Sequence, residues 1–376
     1  MKDYKVKIFL FDKWVSCLQK KIFFICAMIL GNDNVRTSDQ PYLLCIWPAK
    51  NKTYPSASIT SYLLAQIICM RYFLLFVLLT GHSLFAQQQI DAAAIFNIGG
   101  IKQYVRLKGK DVSKPLILFL HGGPGGSLMK NMDKVSGKLQ EHFVVVHWDQ
   151  RETGETLKLN KSIEPLTLQL FYNDTHDVID SLLRKFQRPK LYLVGYSWGS
   201  GLGFYIADKY PELLYAYIPV SPLIDQWRSE SISLAMLKKE MGNNASKELA
   251  QVKVPFENPD QLYYHRKWLR KHEGKKFVPK SFVQSWAVTW FDVFLRCCDV
   301  NRFQSLPVIN CPVYFFAGGK DYLTNYSITQ EYFNRVTAPK KDLFLFDNAG
   351  HELPETHSDG FQDIIIKMIL TKTFDQ

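Results

Sequence analysis

The feature that most constrains the fold is the stretch Leu191–Ser200, in which a short apolar run leads directly into Gly-Tyr-Ser-Trp-Gly. Residues 191–194 are too few for a helix and predict a buried strand, whereas the apolar residues at 202–206 predict a helix. A strand, the pattern Gly-x-Ser-x-Gly and a helix, in that order, are the setting of a nucleophile elbow. Small residues on each side of the serine let neighbouring backbones approach closely. Ser197 is therefore the candidate nucleophile, and a plain tight turn is the alternative.

Other short apolar runs alternate with helical patterns along the chain. The runs of strand length are residues 115–120, 143–148, 191–194, 215–220, 312–317 and 342–346. Helical patterns cover residues 167–186, 327–336 and 361–370. Continuous apolar strands that alternate with helices are typical of an α/β fold, a doubly wound and mostly parallel sheet covered on both faces. Two runs on either side of Gly99-Gly100 predict a β-hairpin before this sheet.

Residues 223–306 differ from the rest because they contain no strand-like run and are polar, with scattered tryptophans. This segment predicts a helical cap, inserted late in the chain, above the carboxyl ends of the strands. Open α/β sheets bind their ligands at that edge. The core domain is then expected to consist of two parts, residues 87–222 and 307–376.

The front of the chain predicts a secretory signal peptide at residues 70–86, with a basic start, an apolar run and a small residue before a polar segment. Residues 1–69 precede it and show no sustained periodicity. Our hypothesis is that translation starts at Met70, so that residues 1–69 are an upstream extension that is not part of the protein. The alternatives are a disordered leader and a genuine extension whose apolar run at 22–30 anchors it to a membrane. Export predicts a periplasmic or secreted protein without a stable membrane span after the signal is removed.

The composition excludes several classes of protein. With 22% charged and 47% hydrophobic residues the chain is an ordinary globular protein. Its formal charge of +11 is not concentrated in a basic stripe with interleaved aromatics, so nucleic acid is not an expected partner. Cys297, Cys298 and Cys311 lack the spacing of a metal site. We expect no metal and no cofactor, and the oligomeric state stays open.

A serine hydroxyl needs a base to take its proton, and the base needs an acid to orient it. Asp321 follows the run at 312–317 and His351 follows the run at 342–346, so both are expected at the sheet edge that carries Ser197. The order serine, acid, histidine is that of a nucleophile-elbow enzyme. Asp225 is the rival acid and His357 is the rival base.

A hydrolytic site also needs donors for the oxyanion of its tetrahedral intermediate. The backbone N–H of Trp198, directly after the nucleophile, is one candidate. The other is the N–H of Gly123, in the glycine-rich loop 121–126 that follows the strand at 115–120. His121 and His147 are expected to support loops and not to carry protons.

Five short motifs together resemble the α/β-hydrolase superfamily and, more narrowly, the prolyl iminopeptidase branch of serine peptidases. They are His121-Gly-Gly-Pro-Gly125, Asp149-Gln-Arg151, Gly195-Tyr-Ser-Trp-Gly-Ser200, Gly319-Lys-Asp321 and Gly350-His351. The resemblance runs from about Ile98 to the C-terminus. It implies a triad of Ser197, Asp321 and His351, an oxyanion hole of Gly123 and Trp198, and a brace for the oxyanion loop formed by Asp149 to Arg151.

The sequence departs from that family in two places. The family continues Asp-Gln-Arg with Gly-x-Gly-x-Ser, whereas this chain has Glu152-Thr-Gly-Glu-Thr156. Iminopeptidases recognise the free amine of the substrate with acidic cap residues. The glutamates of the cap here do not align with that pattern, and each is interpreted as a solvated helix charge: Glu230, Glu240, Glu248, Glu257 and Glu273.

The sequence therefore predicts a serine hydrolase without a cofactor, aminopeptidase-like, that cleaves a small amide or short peptide through an acyl-enzyme. An esterase on the same scaffold is one alternative. A binding protein that has kept the fold but lost catalysis is the other, because a fold does not by itself determine a function. An intact set of serine, acid and histidine argues against the binding protein.

Overall fold

The computed structural model describes Arg71 and residues 88–373, and eight strands within them form one sheet. The strands are β1 (Ile90–Ile98), β2 (Ile101–Gly109), β3 (Leu116–Leu120), β4 (Val144–Trp148), β5 (Leu191–Tyr196), β6 (Leu214–Val220), β7 (Val313–Gly318) and β8 (Lys341–Phe346). Their order across the sheet is β1-β2-β4-β3-β5-β6-β7-β8. β2 pairs antiparallel with β1 and β4, and all other neighbours are parallel. The predicted fold class, a mostly parallel α/β sheet, is confirmed.

The hairpin predicted at Gly99-Gly100 joins β1 to β2. Ile98 and Ile101 are partners in the ladder, and both glycines have positive φ, +52° and +75°. Positive φ is a conformation that glycine adopts without steric cost. The tight turn is therefore a direct consequence of the two glycines.

Helices connect the strands and cover the sheet. They are α1 (Met132–Ser136), α2 (Gly154–Leu159), α3 (Leu168–Phe186), α4 (Trp198–Lys209), α5 (Gln226–Glu240), α6 (Asn243–Leu249), α7 (Pro259–His272), α8 (Lys280–Cys298), α9 (Arg302–Ser305), α10 (Tyr326–Arg335), α11 (Leu353–Thr356), α12 (Ser358–Ile364) and α13 (Thr371–Thr373). A π-helical segment, Ile365–Leu370, continues α12 into α13. The closing helical pattern predicted at 361–370 lies within this last stretch.

The side chains of the central strands alternate between two separate cores. Leu118 of β3 belongs to the core that α3, α4 and α10 cover, whereas its neighbours Ile117 and Phe119 belong to the core under α1 and α12. Successive residues of a strand point to opposite faces of the sheet. Because both faces are covered, every residue of β3, β4 and β5 is buried, which explains why these strands are almost entirely apolar, with His147 of β4 as the exception.

Helices α5 to α9 lie between β6 and β7 and form the helical cap that the fold class included. The cap has an apolar cluster of its own, to which Leu237, Trp268 and Phe294 contribute. The limits of the parts at 87–222, 223–306 and 307–376 remain a prediction.

The predictions for residues 1–69 and for a signal peptide at 70–86 fall on residues outside the described part, apart from Arg71. Among the described residues no helix has the length and apolar character needed to cross a membrane. The same part of the chain contains no group of His, Cys, Asp or Glu side chains arranged to hold a metal ion.

Candidate active site

Ser197 lies on a sharp turn between β5 and α4. Its φ of +52° and ψ of −118° fall outside the regions that L-residues favour, so the turn stores backbone strain. A side chain at Gly195 would place its Cβ 2.8 Å from the carbonyl oxygen of Gly199, and a Cβ at Gly199 would collide with the backbone of Leu120. The two glycines of Gly-x-Ser-x-Gly are thus required by the close approach of β3, β5 and α4.

Ser197, His351 and Asp321 form a continuous chain of hydrogen bonds. The distance from His351 Nε2 to Ser197 Oγ is 2.9 Å, and from His351 Nδ1 to Asp321 Oδ2 it is also 2.9 Å. Asp321 and His351 follow β7 and β8, whose carboxyl ends lie at the same edge of the sheet as that of β5. The three predicted residues are thus brought together across 154 residues of sequence.

The Asp321 carboxylate is held by four donors. Its Oδ1 accepts the backbone N–H groups of Leu323 and Thr324, both at 2.9 Å, and its Oδ2 accepts the Thr324 hydroxyl at 2.8 Å as well as His351. Burial alone would raise the pKa of this carboxyl, but His351 and the hydrogen bonds from Thr324 outweigh burial and lower it. Asp321 is therefore an anion that fixes the orientation of the imidazole.

His351 is held in place by its backbone as well as its ring. The hydroxyls of Tyr196 and Ser221 donate to its carbonyl oxygen, at 3.1 and 3.2 Å. Burial disfavours the imidazolium, yet the negative charge of Asp321 and, further away, those of Glu352 and Glu273 more than offset it and raise the pKa of His351. A base whose imidazolium is stabilised in this way is suited to receive a proton from Ser197.

The rival residues lie elsewhere. Asp225 caps the N-terminus of α5 by accepting the N–H of Arg228 at 3.2 Å, and it also accepts the Asn301 amide at 2.9 Å. His357 contacts Thr356 and the ring of Phe346. Neither side chain is hydrogen-bonded to Ser197 or His351.

Gly123 and Trp198 line the same cavity as Ser197 and His351, so the two predicted oxyanion donors belong to one site. Gly123 has a φ of +118°, which a residue with a side chain rarely adopts. The cap holds this loop as well: the indole of Trp286, on α8, donates to the carbonyl of Pro124 at 2.9 Å. The glycine-rich loop is therefore fixed between the core and the cap.

Gln150 is the residue of Asp149-Gln-Arg151 that contacts the loop directly. Its backbone N–H donates to His121 Nε2 at 3.2 Å, its amide donates to the His121 carbonyl at 3.3 Å, and its amide oxygen accepts the Trp198 indole at 2.9 Å. Burial lowers the pKa of His121, whose ring therefore stays neutral, with Nδ1 directed at the carbonyl of Gly122. These bonds connect His121 to Gln150 and to the next residue of its own loop, and its role in supporting that loop stays a prediction.

The side chains of Asp149 and Arg151 form their hydrogen bonds with residues outside the glycine-rich loop. Asp149 accepts the N–H of Glu155 at 2.8 Å. Arg151 forms a buried bidentate pair with Asp174 of α3, at 2.7 and 2.8 Å, and reaches back to the Gly99 carbonyl at the hairpin turn. The sequence singled out these two charged residues, whereas Gln150 between them links the loop to Trp198. The motif Asp149-Gln-Arg151 marked this position, but it did not indicate which of the three side chains contacts the loop.

His147, the other histidine expected to support loops, lies in β4 beneath the site. Its Nε2 is 2.9 Å from the Ser136 hydroxyl and its ring stacks on Phe119. Burial lowers its pKa to about 3, so its ring is neutral.

The cavity at Ser197 has a volume of about 530 Å³ and lies between the sheet edge and the cap. Its cap wall is mainly apolar and is formed by Leu262, Leu269, Phe282, Val283, Trp286 and Phe294. Charged groups at its margin are Arg266, Arg270, Glu273, Glu352 and Glu355. Another cavity, of about 590 Å³, lies between α7 and α8 and is lined by neither Ser197 nor His351. The first cavity is therefore the place where a small, partly apolar substrate would meet the serine.

Two of the cap glutamates differ from the expectation of solvated helix charges. Glu230 is fully buried and forms a bidentate ion pair with Arg266. The carboxylate of Glu273 is nine-tenths buried at the cavity wall, and its Oε1 has no hydrogen-bond partner. Their polar character gave no sign of burial, because burial depends on which helix faces lie against each other.

The fold and the site define an α/β-hydrolase enzyme. The chain belongs to the S33 serine aminopeptidase family, whose model matches residues 111–356. A probable aminopeptidase of Bacillus subtilis is 29% identical over 282 residues, which cover 68% of this chain and 89% of the relative. A proline iminopeptidase of Lactobacillus helveticus is 22% identical over 270 residues, 67% of this chain and 88% of the relative.

Among solved structures, a proline iminopeptidase-related protein from Thermus thermophilus superimposes with a TM-score of 0.53 at 20% identity. The superposition covers 74% of this chain and 99% of that protein. At this identity the match supports the fold alone.

Proposed function

We propose that this protein is a serine hydrolase that removes the N-terminal residue from short peptides or related amides. The observation that carries the proposal is the hydrogen-bonded chain from Ser197 through His351 to Asp321 at the floor of a cavity. The names of the relatives in the S33 family support aminopeptidase chemistry.

In the proposed reaction His351 Nε2 takes the proton of Ser197 while Oγ attacks the substrate carbonyl. The N–H groups of Gly123 and Trp198 stabilise the oxyanion, and removing one such donor typically costs about 3–4 kcal/mol. His351 then gives its proton to the leaving amine. In the second half His351 Nε2 takes a proton from water while the oxygen of the water attacks the acyl carbonyl. His351 then gives that proton to Ser197 Oγ as the ester bond breaks, which releases the carboxylic acid product and regenerates the serine.

The cavity also suggests how a peptide would be oriented. Three carboxylates, those of Glu273, Glu352 and Glu355, line it, and they provide negative charge for the ammonium group of a substrate. The apolar cap wall suits an apolar side chain on the first residue. We therefore propose a preference for a free amine and an apolar N-terminal residue, without restriction to proline.

An esterase is the second candidate, because the large apolar wall would also accept a neutral acyl group. Aminoacyl naphthylamides compared with p-nitrophenyl esters separate the two activities. Efficient ester turnover with no amide turnover at all would replace the aminopeptidase proposal by the esterase.

Replacement of the nucleophile tests the chemistry itself. Ser197→Ala is expected to abolish turnover of amides and esters and to prevent labelling by a fluorophosphonate probe, with the fold retained. Ser231→Ala is the matched control, since Ser231 is an exposed residue of α5 that bonds only the Trp227 carbonyl. An alanine variant at 197 that remains active would rule out this nucleophile.

A further inference from the structure

Helix α8 of the cap places two tryptophans against the glycine-rich loop. Trp286 and Trp290 are four residues apart, so they lie on one face of the helix. The indole N–H of Trp286 donates to the carbonyl of Pro124 at 2.9 Å. The indole of Trp290 lies against Gly125, where a Cβ would be only 2.8 Å from its Nε1. The two residues that follow Gly123 are therefore both in contact with the cap.

The same helix reaches the other candidate oxyanion donor through a chain of aromatic rings. Trp290 packs against Phe171 of α3, with the ring centroids 5.8 Å apart. Phe171 packs edge-on against the indole of Trp198, at 5.4 Å and an angle of 89° between the rings. All three side chains are buried, and edge-to-face pairs at such distances are favourable. The cap therefore also supports Trp198, whose backbone N–H is the second candidate donor.

The core holds the same loop at its other end. Gln150 is hydrogen-bonded to the ring and to the carbonyl of His121, the first residue of the loop. Its amide oxygen accepts the indole of Trp198 at 2.9 Å. Gly123 thus lies between an anchor in the core, at His121, and an anchor in the cap, at Pro124.

Four of the six residues in the loop 121–126 are glycines, so side chains of the loop itself do little to fix its shape. Glycine loses more conformational freedom than any other residue when it becomes ordered. An oxyanion donor contributes most when its N–H is already directed at the developing charge. Few torsion angles separate the Gly123 N–H from the Pro124 carbonyl, and the proline ring fixes one of them. A hydrogen bond to that carbonyl therefore restricts the direction of the Gly123 N–H.

We infer that Trp286 is a positioning residue for the reaction: through the Pro124 carbonyl, its indole N–H holds the Gly123 N–H in the direction that the oxyanion requires. The cap is then part of the catalytic arrangement and not only the wall of the substrate cavity. This inference rests on the proposed serine hydrolase function. It holds equally for amides and esters, because both pass through a tetrahedral oxyanion.

The test removes the hydrogen bond and keeps an aromatic ring at position 286. Trp286→Phe lacks the indole N–H. Replacement of Trp286 by β-(3-benzothienyl)alanine is the sharper variant, because sulfur takes the place of the N–H in a ring system of the same shape. In both variants kcat for leucine naphthylamide and p-nitrophenyl acetate should fall about three- to tenfold, the range for one neutral hydrogen bond. KM should change less than kcat, most clearly in the benzothienyl variant, which keeps the wall of the cavity and decides the test if Trp286→Phe does not fold.

A matched pair of inhibitors separates the oxyanion hole from the cavity wall. With 2-phenylethylboronic acid, Ser197 Oγ bonds to boron and its proton passes to His351. The boron becomes tetrahedral and places one oxygen at the oxyanion position, as in a transition-state analogue. In 3-phenylpropanamide a planar amide replaces the boronic acid on the same phenylethyl group. Loss of the Trp286 N–H should weaken binding of the boronate by the same factor as kcat, and binding of the amide by less.

Trp227→Phe is the matched control. Trp227 is another cap tryptophan, and its indole donates to Asp299 Oδ1 at 2.9 Å, but it does not line the serine cavity. Its kcat, KM and both inhibition constants should equal those of the wild type. A benzothienyl variant at 286 with less than about a threefold change in kcat would overturn the inference. Equal weakening of boronate and amide, or an equal loss of kcat in Trp227→Phe, would overturn it as well.

The results distinguish this inference from the proposed function. If the wild type cleaves the ester but not the naphthylamide, the aminopeptidase proposal fails and the same constants still decide the role of Trp286. If the wild type is active on the naphthylamide and the variants at 286 match it, the inference fails and the proposed function stands. A wild type that turns over neither substrate and does not bind the boronate would overturn both.

Discussion

Replacement of Asp321 by asparagine would keep the shape of the site but reverse the tautomer of His351. Oδ1 of Asp321 accepts two backbone N–H groups, so the oxygen of the asparagine is expected at that position. Its NH₂ group then takes the place of Oδ2 and faces His351 Nδ1, which must become an acceptor. The proton moves to Nε2, opposite Ser197 Oγ, and the imidazole can no longer take the proton of the serine.

The expected loss in kcat is about 10⁴-fold, close to 5 kcal/mol of transition-state stabilisation, which is the effect of a wrong tautomer in a serine triad. KM should change little, because Asp321 lies behind the imidazole and does not line the cavity. The assay is initial-rate kinetics over a range of substrate concentrations, so that kcat and KM are separated. Labelling by a fluorophosphonate should slow in parallel with kcat.

The free energy of unfolding of the Asp321→Asn variant provides a second measurement, because the pKa of Asp321 defines the direction of its change with pH. The pKa of Asp321 is lowered in the folded protein, so the carboxylate stabilises the fold above its unfolded pKa, and this contribution is lost as the pH falls through the folded pKa. The asparagine variant should therefore be less stable than the wild type at neutral pH, and the difference should shrink in acid. Urea unfolding at several pH values measures both the difference in stability at neutral pH and its decrease in acid.

Asp225→Asn is the control for this experiment. Asparagine is as good an N-cap as aspartate, so α5 should keep its cap and kcat should stay at the wild-type value. An Asp321→Asn variant that keeps kcat within about tenfold of the wild type would refute the orienting role that the triad logic assigns to Asp321. A loss of kcat of equal size in Asp225→Asn would refute the assignment of Asp321, and not Asp225, as the acid of the triad.

The remaining predictions concern the pH profile and the buried pair behind the loop. Since His351 must be neutral to act as a base and its pKa is raised, kcat/KM should increase with pH through an ionisation above the ordinary value of 6.5; a profile already level at pH 6 would contradict this. Arg151→Met leaves the Asp174 carboxylate buried without its cation and should lower the free energy of unfolding by about 3–5 kcal/mol in urea titrations. A double variant that also carries Asp174→Leu should recover part of the loss, and a single variant as stable as the wild type would show that the pair contributes little.

Local pattern was sufficient for much of the fold and for the three central residues of the candidate site. Both faces of strand β5 are covered, and its residues 191–194 therefore form an apolar run that predicts a buried strand just before Gly195 and Ser197. Asp321 and His351 could be chosen because each follows an apolar strand, and parallel strands present their carboxyl ends at one edge. These inferences need only the neighbouring residues and the rules of parallel sheets.

The supports of the site could not be predicted in the same way. Gln150 acts on a loop 29 residues away, and Tyr196 holds the carbonyl of His351 over a separation of 155 residues. The motif Asp149-Gln-Arg151 predicted a brace for the loop but not which of its side chains makes the contact, and nothing near Tyr196 in the sequence indicates its bond to His351. Glu230 was expected in solvent, but it is buried and pairs with Arg266. Arg266 lies 36 residues further along the chain, on α7, which packs against the helix α5 that carries Glu230.

The sequence by itself determined the order of strands and helices, the glycines that a strained turn requires and the residue types of the candidate triad. Each of these is encoded in a few consecutive residues. The tertiary structure alone decided which polar side chains are buried, which side chain of the predicted brace contacts the glycine-rich loop and that Lys275 lies between Glu273 and Glu352. These features arise where the cap packs against the sheet edge, and the free energy of a buried charge depends on partners that only the folded chain brings within hydrogen-bonding distance.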